Sequence, residues 1–197
     1  MKPFILLPLA TGEQKRIYDF DVTFLHIHTE ECYPKEYQSI FWSEIGKYLY
    51  CFKEVKDFDG RLYGMVQNRR FFKHLDKLNV EKNEVILAPE EWHGISIKDQ
   101  FRHCHYKYFS IFDEICQKID IDHSLLERRY FSPHNVFVSD MDFFIQYGEF
   151  LKKTLTPYFD PNINEKVGAW ISERLLYVFA HSHFKVKTEP IEVLDKR

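Results

Sequence analysis

The sequence predicts an α/β domain, a sheet flanked by helices. Short apolar runs of strand length alternate along the chain with stretches whose apolar residues recur at helical spacing. No turn signal such as Asn-Gly joins two strands into a hairpin. A length of 197 residues suits one domain, and a hydrophobic share of 45% gives it a real core to bury.

The elements follow in order. Phe4 to Leu9 reads as a buried strand closed by Thr11-Gly12, and Val22 to Ile27 as a second, rich in β-branched and aromatic residues. Pro34 suits a helix start, and Tyr37, Phe41, Ile45, Tyr48, Leu49 and Phe52 mark one amphipathic helix from about Lys35 to Phe52. Asp59-Gly60 is a turn pair before a central strand, Leu62 to Val66. Val85 to Ala88 is a strand stopped by Pro89. Ser96 with Asp99 resembles a capping box that opens a helix running to Ile119. Val136 to Val138 is a strand, and Ser139 with Asp142 reads as the start of a helix to Leu155. Asn164 is placed to cap the last helix, which runs to about Ala180. The domain is expected to occupy residues 1–184, with 185–197 as a charged tail.

Composition narrows the function. A net charge of −3 argues against nucleic-acid binding. The cysteines, Cys32, Cys51, Cys104 and Cys116, form no C-x-x-C pair and read as reduced thiols of a cytoplasmic protein. The apolar run Phe4 to Ala10 is short for a signal peptide and far too short to span a bilayer, so membrane contact is expected to be peripheral at most. No Walker-type phosphate loop, G-x-G-x-x-G or G-x-S-x-G occurs.

The central strand ends in Gln67-Asn68-Arg69-Arg70. Ligands of open α/β sheets bind beyond the carboxyl ends of the strands, and paired guanidinium groups there suit a nucleotide diphosphate. The competing reading is two surface arginines after a core strand. In the last helix Arg174 falls within an apolar stripe made by Val167, Ile171, Leu175 and Val178, so it needs a partner. That partner is either a structural ion pair or the same cleft as Arg69 and Arg70. Glu173 precedes it, though adjacent helical residues point apart. His26 and His28 share a strand face and offer a two-ligand metal reading, whereas His103 and His105 on a helix do not. The D-x-D pairs Asp57/Asp59 and Asp140/Asp142 suit a divalent cation, or simply a solvated loop and a helix N-terminus.

Several blocks, in order, resemble a bacterial family of small glycosyltransferases of capsule and lipopolysaccharide synthesis. The family has a helix like Y-C-E-L-T-A-L-Y-W, matched by Tyr37 to Trp42, before a strand ending in H-Y-R-R-Y-F, matched by Gln67-Asn68-Arg69-Arg70-Phe71-Phe72. Its next strand, I-I-L-P, is matched by Val85 to Pro89, its S-V-x-E-Q-Y segment by Ser96 to Phe101, and its N-M-F-I-M strand by Asn135 to Ser139. Its closing block, with S-E-R-L-L, is matched by Gly168 to Phe179, including Ser172-Glu173-Arg174-Leu175-Leu176. The match runs from about Tyr33 to Phe184, and the family's His and Tyr before the arginines are Gln67 and Asn68 here.

The resemblance implies a GT-A-like, Rossmann-type mixed sheet flanked by helices. It implies transfer of a sugar from a nucleotide-sugar donor to a glycan or lipid-linked acceptor in surface polysaccharide synthesis. Gln67, Asn68, Arg69, Arg70 and Arg174 are the expected donor-binding residues. His134 and Asn135 are expected on the acceptor side, with Asp140, Asp142 and Glu173 as catalytic candidates. Arginines in place of a D-x-D motif imply that no cofactor is required, with Mn²⁺ or Mg²⁺ as the alternative. The protein is expected in the cytoplasm, at most peripheral to the inner membrane. Two other readings stand beside this one: a sugar- or nucleotide-binding protein without catalysis, and a metal-dependent enzyme using His26, His28 and nearby carboxylates.

Overall fold

The computed structural model describes residues 4–8, 23–27, 35–52, 62–67 and 70–193. Within them a six-stranded mixed sheet forms the centre. It comprises β1 (Phe4–Pro8), β2 (Thr23–Ile27), β3 (Tyr63–Met65), β5 (Glu84–Leu87), β8 (Phe137–Ser139) and β9 (Lys185–Thr188), in the order β2-β1-β3-β8-β5-β9. All neighbours run parallel except β8, which is antiparallel to both β3 and β5. Two small ribbons complete the strands: β4 (Arg70–Phe72) with β10 (Ile191–Val193), and β6 (Glu91–Trp92) with β7 (Tyr130–Phe131).

Alternation along the strands separates two apolar layers. Tyr63, Met65, Val85, Leu87 and Phe137 face the larger core, with the helices α1 (Glu44–Cys51), α2 (Ile97–Cys104), α3 (Phe109–Lys118), α4 (Met141–Leu155) and α5 (Val167–His183). Leu62, Val66, Ile86, Val136 and Val138 face a smaller core closed by Phe71, Phe72 and Leu75. Gly64 belongs where β3 and β8 approach: a Cβ there would stand 2.3 Å from the Phe137 carbonyl oxygen. Gly148 has the same role between helices, since a Cβ would stand 2.4 Å from the Phe52 ring.

Several boundaries differ from the sequence expectation. The helix expected from Lys35 is a 3₁₀ turn, Lys35–Gln38, followed by α1 from Glu44. The long helix expected over 96–119 breaks at His105, whose ring stacks on Trp170 at 4.1 Å. Its N-cap does form: the Asp99 N–H donates to Ser96 Oγ at 3.1 Å, and Ser96 Oγ donates to Asp99 Oδ2 at 3.0 Å. The cap of α4 is Asp140, not Ser139, and α5 opens at Lys166 without a side-chain cap. The segment from 185, expected to be a charged tail, carries β9 and β10. Lys185 and Lys187 lie 2.6 and 2.7 Å from the carboxylate of Glu84, which is 1% exposed, so this part of the segment is built into the sheet. Among the described residues no helix is long and apolar enough to cross a membrane.

Candidate functional site

The carboxyl ends of β1, β3 and β5 meet at one edge of the sheet, and the reversed β8 brings its N-terminal flank there too. The register Met65↔Phe137 and Leu87↔Phe137 therefore sets His134 and Asn135 beside the residues that follow β3 and β5. Gln67 and Arg70 exchange backbone hydrogen bonds, each 3.0 Å, so the chain reverses tightly there. Asn68 and Arg69, between them, lie outside the described residues.

A polar cluster occupies this edge. Arg70 Nη1 donates to Gln67 Oε1 at 3.1 Å, and Gln67 Nε2 donates to Glu44 Oε1 at 3.1 Å. Asn135 Nδ2 donates to the same Glu44 oxygen at 3.4 Å and to the Ala169 carbonyl at 3.3 Å. Ser172 Oγ closes the chain by donating to Asn135 Oδ1 at 3.1 Å. Asn135 and Ser172 are wholly buried, so these bonds meet the polar satisfaction that burial demands. Ser43, just before Glu44, adopts φ 49° and ψ −130°, a left-handed backbone rare for a residue with a side chain.

Glu173 borders the cluster, with 19% of its side chain exposed. Burial raises its carboxyl from 4.5 to about 7, and the nearby Glu44 charge adds to this. Arg174, Arg70 and the hydrogen bond from Gln67 pull the other way. At neutral pH Glu173 is therefore poised between acid and carboxylate. Arg70 makes no ion pair among the described residues, and its charge acts on both Glu173 and His134.

Arg174 is buried and fully engaged. Nε and Nη2 donate to Gln100 Oε1 at 3.1 and 2.8 Å, and Nη1 donates to the Trp170 carbonyl and to Glu173 Oε2, both at 2.9 Å. This corrects one expectation: adjacent helical residues do meet here, because the long guanidinium stem folds back along the helix. The donors of Arg174 go to Gln100, Trp170 and Glu173, which is the structural ion-pair arrangement that its place in an apolar stripe calls for.

His134 is 13% exposed, with Nε2 3.8 Å from Glu91 Oε1. Burial, then the Arg70 charge, lowers its pKa below the usual value, while Glu91 opposes the shift. It is thus a neutral imidazole at pH 7, able to accept a proton.

Asp140 and Asp142 stand apart. They follow β8, and because β8 is reversed they lie at the opposite end of the sheet from His134 and Asn135. Asp140 accepts from the Phe143 N–H at 2.8 Å and the Asn83 N–H at 2.9 Å, and Asp142 sits in the first turn of α4. Asp140 is thus the cap of α4 and Asp142 an acid of its first turn, the helix N-terminus that the sequence offered as the simpler reading of this pair. The His26 and His28 pair and the Asp57/Asp59 pair lie outside the residues whose side chains are described. Among those described, no group of three or more His, Cys, Asp or Glu is arranged to hold a metal ion.

Sequence reasoning missed Glu44, Ser172 and Gln100. The apolar spacing that marks this helix passes over Glu44. Only the meeting of α1 with the β3 and β8 ends gives it a distinct role.

A scan against protein-family models finds no match, and a search of curated proteins finds none either. Among solved structures, the whole chain matches the apo form of WbbM, described as a bifunctional glycosyltransferase, with a TM-score of 0.66 and 11% identity. The match covers 100% of this chain and 46% of that one, so this chain spans about half of WbbM's length. At that identity the likeness is one of fold. The chain has a mixed α/β architecture of the kind found in a glycosyltransferase.

Proposed function

We propose that the protein is a glycosyltransferase of GT-A type. It moves a sugar from a nucleotide-sugar donor to a glycan or lipid-linked acceptor of surface polysaccharide, capsule or lipopolysaccharide. The observation that carries this reading is Arg70, a cation without an ion-pair partner among the described residues, beside the Gln67–Glu44–Asn135 network at the ligand-binding edge of an α/β sheet. The fold likeness to a glycosyltransferase supports it.

In this reading the bond from the anomeric carbon to the diphosphate oxygen breaks, and a new bond forms to an acceptor hydroxyl. Arg70, joined by its sequence neighbours Arg69 and Asn68, takes up the negative charge developing on the leaving diphosphate. Gln67 is held by Glu44 and Arg70 where it meets the donor sugar or ribose. The acceptor proton passes to His134, which burial keeps neutral, or to Glu173 in its ionised form. Asn135 fixes the acceptor-side wall, and Arg174 sets the position of Glu173. A guanidinium at the diphosphate leaves little need for Mn²⁺ or Mg²⁺. An absolute metal requirement for turnover would overturn that part. The protein works in the cytoplasm, with at most peripheral contact with the inner membrane.

The test is a thermal-shift screen with nucleotide diphosphates and nucleotide-sugars, with and without Mn²⁺. A ligand at a hundredfold excess over its Kd stabilises the fold by about 2.7 kcal/mol. A shift with one nucleotide that is lost in Arg70→Ala supports the donor site, and release of diphosphate on adding acceptor establishes transfer. Binding without turnover would favour a non-catalytic sugar-binding protein.

A further inference from the structure

The ribbon beside the acceptor wall carries exposed aromatic rings that the chemistry above does not use. Trp92 and Tyr130 are cross-strand partners in β6 and β7, 58% and 54% exposed, with ring centroids 4.7 Å apart and planes at 45°. The ribbon beneath them is well anchored. Phe131 is wholly buried and stacks on the His93 ring at 4.1 Å. The His93 and Ile97 N–H groups donate to the carbonyls of Arg129 and Arg128 at 2.9 and 3.1 Å. Large rigid rings held ready at a surface supply contact area at low entropic cost.

The faces of a pyranose ring are lined with C–H groups and its edges with hydroxyls, so a flat aromatic surface takes a sugar face while the hydroxyls stay wet. Alternation in the ribbon puts Glu91 and Phe131 on one face and Trp92 and Tyr130 on the other. Glu91 reaches His134 and so joins the ribbon to the acceptor wall. The rings therefore stand on the ribbon face away from the residue that approaches His134, which suits a sugar other than the one at the polar cluster. The flanking charges are Glu90, Glu91 and Glu127 against Arg128 and Arg129. This acidic excess disfavours an anionic lipid surface as the occupant.

We propose that Trp92 and Tyr130 form a stacking platform for a sugar ring of the acceptor remote from the reacting unit, so that the acceptor is an oligosaccharide chain. This rests on the transferase reading and names its acceptor class. The test uses a printed array of bacterial-type oligosaccharides, each presented as a ladder from mono- to hexasaccharide. It compares the intact protein, a W92A/Y130A double variant and a W92F/Y130F double variant.

The native protein should retain the longer members of at least one ladder. The alanine variant should bind them about tenfold more weakly, a loss of about 1.4 kcal/mol, and the phenylalanine variant should keep most of the binding. Both variants should melt near the native temperature, since the rings are exposed. Equal binding by the alanine variant, or no ladder retained by the native protein, would each overturn the platform. The nucleotide-induced thermal shift is read on the same samples. A shift that persists in the alanine variant means that the platform can fail while the transferase reading stands. Absence of any shift in the native protein is a failure of that reading itself.

Discussion

Arg70 and Glu173 divide the electrostatic work of the site. Arg70 carries a permanent charge and donates to a neutral amide, that of Gln67. A charge-assisted bond of this kind is worth about 1.5–3 kcal/mol, so Arg70→Ala should weaken nucleotide diphosphate binding by roughly 10- to 100-fold. Isothermal titration will read this, and unchanged affinity would place the diphosphate elsewhere. Glu173 has its folded pKa raised from 4.5 to about 7 by burial. Between those values the folded chain binds a proton that the unfolded chain has lost, so stability falls as pH rises through this window. The full difference is about 3 kcal/mol, complete by about pH 8. Urea unfolding at a series of pH values should show this negative slope, and Glu173→Gln should flatten it. A slope that survives the substitution would assign the effect to another group.

The reversal of β8 decides which polar residues share an edge. Asp140 illustrates the consequence: it caps α4 and ties down the Asn83 turn at the end of the sheet away from Arg70. Asp140→Ala should therefore cost about 1 kcal/mol of stability, seen as a lower urea midpoint, while leaving the nucleotide-induced thermal shift intact. Loss of the shift without loss of stability would return Asp140 to the site. Strand direction explains why this was not legible in the sequence. The apolar run at Val136 to Val138 announces a strand, and periodicity carries no sign of which way it points. The strand around Val85, the Ser96–Asp99 cap and the burial of Arg174 were all legible, because local spacing and the cost of burying charge determine them. The chain reversal at Gln67 and Arg70 was not, since it uses neither Asn-Gly nor Gly-Gly. Glu44 was hidden for a different reason: its role arises from contacts across 23 residues to Gln67 and 91 to Asn135.

The assembled sheet depends on residues that read as a solvated tail. Lys185-Val186-Lys187-Thr188 alternates polar and apolar residues, yet its charges suggested solvent rather than structure. In the fold this alternation suits an edge strand. Val186 packs against the large core, and the lysines reach back to Glu84. Their hydrogen bonds lower the Glu84 carboxyl from 4.5 to about 2, so this contribution is present above about pH 4.5 and is lost as pH falls towards 2. Beyond the turn at Pro190, β10 pairs with β4, the strand that begins at Arg70 itself. The C-terminal strands therefore brace both the sheet edge and the strand that begins at Arg70. Truncation after Phe184 separates the two views. A disposable tail would leave the melting temperature unchanged. Removal of β9 and β10 instead exposes the edge of β5, leaves the Glu84 carboxylate without its lysines and frees β4 from its partner. The truncated chain should melt lower by well over the roughly 3 °C that 1 kcal/mol represents at this length. It should also lose nucleotide binding before it loses its helical circular dichroism, because Arg70 sits on the strand that has lost its support.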